Sequence, residues 1–133
     1  MPDKLDEFTQ AYLVAALWSS NDQSDEQGGD PLDENYDIKD IDPVALEKAK
    51  ADCAKFQQEF GHLITEENCL KFEDSPLSQA GHDFWMTRNG HGVGFWEESD
   101  WEKEAGKILT NGSKKFGELN LYVNDGLICG FGE

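Results

Sequence analysis

Residues 81–96 read Gly81-His82-Asp83-Phe84-Trp85-Met86-Thr87-Arg88-Asn89-Gly90-His91-Gly92-Val93-Gly94-Phe95-Trp96. An Asn-Gly pair between two aromatic-rich runs is the strongest short-range signal for a β-hairpin, because both residues tolerate the positive φ of a type I′ turn. The reading predicts strands at His82 to Arg88 and Val93 to Glu98. Arg88 would then face His91, Met86 would face Val93, Phe84 would face Phe95 and His82 would face Glu97, all on one side of the ribbon. The other side would set Thr87 against Gly92, Trp85 over Gly94 and Asp83 against Trp96.

The same stretch holds the densest chemistry in the chain. Arg88, Asn89 and His91 crowd the predicted turn, with His82 and Asp83 at the far end. Such a turn can take an anion or nucleotide, with the Arg88 guanidinium forked on an oxygen and His91 as donor or proton carrier. A shared metal is opposed by geometry: six extended residues at roughly 3.3 Å each hold His82 about 20 Å from His91, and zinc ligands sit about 2 Å from the ion. No cysteine lies near a histidine in sequence, and no GxSxG elbow occurs, so no catalytic residue is assigned and the balance leans away from an enzyme. No cofactor is expected.

A second Gly-containing turn, Asp125-Gly126, stands between Leu119 to Asn124 and Leu127 to Phe131 and predicts another hairpin. The two hairpins together predict a mainly antiparallel sheet. Outward from them the pattern changes to helical. Asp3 can cap a helix whose apolar positions Leu5, Phe8, Tyr12, Leu13, Ala16 and Leu17 recur at three and four residues. Asp42-Pro43 starts another, carried by Leu46, Ala49, Cys53, Phe56 and Phe60 up to Gly61. A short helix is expected near Thr65 to Leu70. Ser99-Asp100-Trp101-Glu102 matches a capping box opening a helix along Trp101, Ala105, Ile108, Leu109 and Phe116. The predicted class is α+β: about four helices packed on a mainly antiparallel sheet, in one domain spanning residues 1–133.

Charge dominates the composition. Of 133 residues, 28 are acidic and 11 basic, for a formal net charge of −17. Such a field repels nucleic acid and anionic lipid and attracts basic proteins. Residues 21–42 alone carry nine carboxylates against one lysine, which predicts an acidic, mobile loop at 20–41. Asp33, Glu34, Asp37 and Asp40 there, with Glu97, Glu98 and Glu104, form the candidate acidic surface. The loop lacks the EF-hand spacing. No run of about 18 apolar residues occurs, and the start lacks the basic and apolar regions of a secretory signal, so the expected location is a cytoplasm. Three scattered cysteines without CxxC spacing read as reduced, packed thiols.

The run HDFWMTRNGHGVGFW (82–96), with FTQAYLVAALWSS (8–20) and KKFGELNLYVNDGLI (114–128), resembles a family of small acidic tailed-bacteriophage proteins of unknown function. Asn111-Gly112 departs from the smoother, alanine-rich helix expected there. The resemblance implies a setting in the cytoplasm of a bacterial host. Small acidic phage proteins often look like decoys for host DNA-binding enzymes, restriction and CRISPR machinery included. A charge of −17 matches about 29 Å of duplex at one charge per roughly 1.7 Å, the right order for mimicry. The expected function is therefore inhibition or modulation of a basic, nucleic-acid-binding host protein, with no direct contact to nucleic acid or membrane. Two alternatives stand beside it: a small enzyme or ligand-binding module at the 82–97 hairpin, and a structural phage component.

Overall fold

A computed structural model describes residues 5–20, 31–34, 36–72, 74–90, 94–97 and 99–133. Four α-helices and one two-stranded antiparallel hairpin make up its longer elements: α1 (Glu7–Ser19), α2 (Pro43–Phe60), α3 (Pro76–Arg88), α4 (Lys103–Lys114), β1 (Tyr122–Asn124) and β2 (Leu127–Cys129). The α+β class holds, but the sheet comes from one hairpin and not two.

The missing hairpin is the main correction. Residues 76–88 form α3, started by Ser75, whose hydroxyl accepts from the Ser78 N–H at 3.1 Å, and by Pro76 at the first helical position. Asn89-Gly90 ends this helix. Asn89 is the C-cap and Gly90 takes φ 68°, the left-handed conformation common just past a helix terminus. Because every residue from Ala80 to Arg88 except His82 is buried, α3 shows neither the alternation of a strand nor the single apolar stripe of a surface helix. Gly94 accordingly lies against Thr87 and Trp96 rather than under Trp85. The Thr87 hydroxyl accepts from the Phe95 N–H at 3.1 Å, which seats the segment after the helix.

Asp6, not Asp3, caps α1, accepting from the Thr9 N–H at 2.7 Å. Burial pushes the Asp6 carboxyl up, yet hydrogen bonds from Thr9 and Gln57 prevail and hold it below the ordinary range. Residue Asp3 lies outside the described residues. The start of α2 is as expected: the Asp42 carboxylate accepts from the Val44 and Ala45 N–H groups, with Pro43 following. Residues 65–70 form turns and a bridge to Trp101 instead of a helix, after a 3-10 turn at Gly61–Leu63. The cap of α4 is Glu102, accepting from the Ala105 N–H at 2.9 Å, rather than Ser99. Of the acidic stretch, the described part folds into 3-10 turns at Leu32–Glu34 and Ile38–Asp40, while residues 21–30 and Asn35 lie outside the described residues.

One aromatic cluster ties these elements together. Phe56 of α2 stacks on Phe84 of α3 at 4.3 Å, Phe84 stacks on Tyr12 of α1 at 5.2 Å, and Phe56 also stacks on Phe95 at 5.8 Å. Phe131, just past β2, reaches Tyr12 and Trp85. Close helix approach depends on glycine. A Cβ at Gly81 would collide with the Phe8 carbonyl, so α1 and α3 lie backbone to backbone there. At Gly112, which sequence alone marks as a weak point in α4, the missing side chain makes room for the Phe60 ring. Ile108, expected on the core stripe of α4, is exposed instead.

Candidate functional site

Three of the five hairpin-site candidates are used inside the fold. Arg88 is 4 % exposed. Its Nε donates to the Gly117 carbonyl and one terminal nitrogen to the Phe116 carbonyl, both at 2.8 Å. The other terminal nitrogen donates to Asp52 Oδ2 and Tyr12 Oη, each at 3.0 Å. The guanidinium also lies 5.6 and 5.4 Å from the Phe84 and Phe116 ring centroids. A fork so occupied joins α1, α2, α3 and the end of α4, and offers nothing to an outside anion. Burial holds the Tyr12 phenol above its ordinary range, against the nearby Arg88 charge.

Asp83 is equally enclosed. Its Oδ2 accepts from Trp101 Nε1 at 2.7 Å and Gln79 Nε2 at 3.0 Å, and its Oδ1 meets His82 Nδ1 at 2.9 Å. Asn89 donates to the Trp85 carbonyl and accepts from the Leu119 N–H at 2.7 Å, linking the end of α3 to the approach to β1. His91 lies outside the described residues. Of the described candidates, His82 opens outward, its ring stacked on Trp18 with centroids 5.9 Å apart. With Nδ1 held by a carboxylate, a neutral His82 ring keeps Nε2 as an acceptor.

The acidic candidates divide differently. Asp33, Glu34 and Glu104 are exposed. Asp37 and Asp40 cap a 3-10 turn reciprocally: the Ile38 N–H donates to Asp37 at 2.6 Å and the Asp37 N–H to Asp40 at 2.9 Å. Glu97 is half-buried, and its backbone carbonyl anchors the turn into Trp101. Glu98 lies outside the described residues. Further exposed carboxylates stand on α1 (Glu7), α2 (Glu47, Glu59) and the hairpin turn (Asp125). The charge is therefore distributed over the elements rather than gathered on the candidate stretches alone.

A groove of ≈ 930 Å³ runs between α1 and the first turns of α3, closed at one side by Lys71, Phe72, Asp74 and Ser75. Ala11, Val14 and Phe72 supply apolar surface, and His82, backed by Trp18, stands on its α3 side. Val14 is 48 % exposed, Trp18 44 % and Phe72 36 %. Glu7, Asp74 and Asp100 place carboxylates on the lining against one amine, Lys71. Ser75 donates to Glu7, which ties the start of α3 to α1. A signal for this site was present in the sequence: Ala11, Val14 and Trp18 form a second apolar stripe on α1, and a helix apolar on two faces needs a second cover.

Among the described residues no group of three or more His, Cys, Asp or Glu side chains is placed to hold a metal ion. No helix of the described chain is long and apolar enough to cross a membrane. No protein-family profile, curated protein or solved structure matches the chain.

Proposed function

We propose that this chain is an acidic interaction protein that seats a basic, amphipathic helix of a nucleic-acid-binding protein in the groove between α1 and α3. One observation carries the reading: half-exposed Val14 and Phe72 line one groove with Glu7, Asp74 and Asp100, and Trp18 stands beside it, stacked on the lining residue His82. An amphipathic helix laid in an apolar groove supplies anchors at i, i+3, i+4 and i+7, and its flanking lysines or arginines meet the carboxylates. Large aromatic residues concentrate binding energy in such interfaces.

The remaining negative charge, spread over α1, α2, α4 and the hairpin turn, acts as a steering field that speeds encounter with a basic surface. In a phage-infected bacterium, the setting that the sequence resemblance implies, the partner is a host defence protein, and occupying its basic helix withholds it from DNA. Mimicry of duplex charge then accounts for attraction, and the groove for selectivity.

The test uses a labelled helical peptide with leucines at i, i+3, i+4 and i+7 and lysines on its flanks, compared by fluorescence anisotropy with a scrambled peptide of identical composition. Preferred binding of the amphipathic peptide by about tenfold, and a loss of similar size in Trp18→Ala or Phe72→Ala, is expected. Raising salt from about 0.1 to 1 M shrinks the screening length from about 10 to roughly 3 Å, and should weaken the complex without abolishing it. Equal binding of the scrambled peptide, or insensitivity to both substitutions, would leave the charge as a solubility device.

A further inference from the structure

A second cavity, of ≈ 240 Å³, lies between Phe95-Trp96 and the first three turns of α4. From this cavity we infer that the protein carries a site for a small, flat aromatic anion, with Trp96 as its stacking face and Lys103 and Lys107 as its charge partners. The site is independent of the α1–α3 groove.

Three observations converge on that ligand class. The walls are aromatic: Phe95 and Trp101 are buried beneath, packed edge to face at 5.0 Å, and the Trp96 indole is 39 % exposed over them. Flat rings stack on such surfaces with more than area alone to hold them. Gly106 keeps the floor shallow, since its backbone lies against the Phe95 carbonyl.

The rim is positive in a protein that is elsewhere strongly negative. Lys103 and Lys107 stand four residues apart, on one face of α4, and neither forms an ion pair with a described residue. Glu102, the carboxylate of the lining, stays ionised as the helix cap on the Ala105 N–H, so the two lysines leave the lining with an excess of positive charge. Two ammonium groups beside an aromatic slot select a carboxylate or similar anion over a cation.

Thr110 supplies the third observation. It lines the same cavity, and its hydroxyl is buried without a hydrogen-bond partner among the described residues. A polar group in that state is unfavourable until something completes it. Rotation about χ1 exchanges the hydroxyl with the methyl and offers a donor to an oxygen bound in the slot.

The probe is 2-naphthoate, titrated into the full chain and followed by amide and indole NMR shifts. Saturable shifts at the Trp96 indole and along residues 103–111 are expected, with no change at Val14 or His82. Lys103→Ala combined with Lys107→Ala should weaken binding at least about fivefold, and naphthylmethylammonium should bind more weakly than naphthoate by a similar factor. Thr110→Val, which removes the unpartnered hydroxyl and preserves shape, should stay folded and lose affinity severalfold. Absence of saturable shifts at millimolar naphthoate, equal binding of the ammonium probe, or unchanged affinity in the double lysine variant would each overturn the inference.

Discussion

Asn89-Gly90 and Asp125-Gly126 are nearly the same dipeptide between similar apolar runs, yet one ends a helix and the other turns a hairpin. At the second, Asp125 and Gly126 take φ 52° and 75°, and the strands pair Tyr122 with Cys129, Val123 with Ile128 and Asn124 with Leu127. At the first, Asn89 stays at φ −98° and only Gly90 is left-handed. What separates them lies upstream. Ser75-Pro76 opens a helix, and Ala80, Phe84 and Arg88 then recur at four residues toward the core, whereas only the short run 118–124 stands between Gly117 and Asp125. The comparison teaches that a turn dipeptide is read by the element it terminates, since the left-handed glycine serves both ends equally.

Arg88→Ala offers the severest test of that contrast. It leaves Asp52 with Lys48 as its one ion-pair partner, at 2.9 Å, and strands Tyr12 and two carbonyls in the core, so a loss of about 3 kcal/mol in urea unfolding is expected. Arg88→Lys should recover little, because a point charge cannot reproduce the fork. Tyr122→Ala, on the exposed face of the hairpin, should change stability by no more than about 0.5 kcal/mol. Comparable losses at the two positions would break the assignment of Arg88 as the structural centre.

Glycine substitutions sharpen the comparison at smaller scale. Gly81→Val forces α1 from α3 and should cost about 1–3 kcal/mol. Gly126→Ala meets no neighbouring atom within 4 Å but keeps φ at 75°, so only the left-handed penalty of about 1–2 kcal/mol applies. Thermal unfolding of the pair separates contact from conformation: Gly81→Val should lose more than Gly126→Ala, and a smaller loss at Gly81 would mean the α1–α3 approach has room to relax.

Alkaline pH should act on the helical region before the hairpin. Burial raises the Cys53 thiol well above its usual range and the Cys69 thiol to about 11, while an unfolded thiol titrates near 8.5. The folded state thus holds protons that the unfolded state releases. The resulting stability is full below about pH 8.5 and is lost as pH rises toward the folded values, at up to about 1.4 kcal/mol per unit per group. Urea midpoints at pH 8 and 10 should diverge, and Cys53→Ala should flatten the decline more than Cys129→Ala. The reverse ranking would place the sensitive thiol in the hairpin. Smallest of all, Asn89→Ala should cost about 1 kcal/mol through the lost partner of the Leu119 N–H; an unchanged midpoint would show that water replaces it.

Legibility followed exposure. The start of α2 was readable because Asp42-Pro43 is a local cap and because its core face, Ala49, Cys53 and Phe56, leaves the other face polar. The second hairpin was readable for the similar reason that its turn chemistry is local. Across residues 82–88 the same methods failed: a helix buried on nearly every side has no polar face to reveal its period, and the aromatic residues that fill it also favour strands. The candidate site failed with it, since Arg88 and Asp83 look like surface chemistry until their partners are known. Those partners lie 36 and 76 residues from Arg88, at Asp52 and Tyr12, and 18 from Asp83, at Trp101.

By itself, the sequence determined the net charge, the α+β class, the hairpin turn at Asp125-Gly126 and the start of α2, all of which depend on composition or on neighbours within a few residues. Only the tertiary structure decided that residues 76–88 are a helix, that Arg88 is a buried fork rather than a ligand clamp, and that Val14 and Phe72 share a groove with three carboxylates. The physical reason is that burial and pairing across dozens of residues outweigh local preference: the tenths of a kcal/mol that separate helix from strand propensity are small beside a charge that must be satisfied in the core.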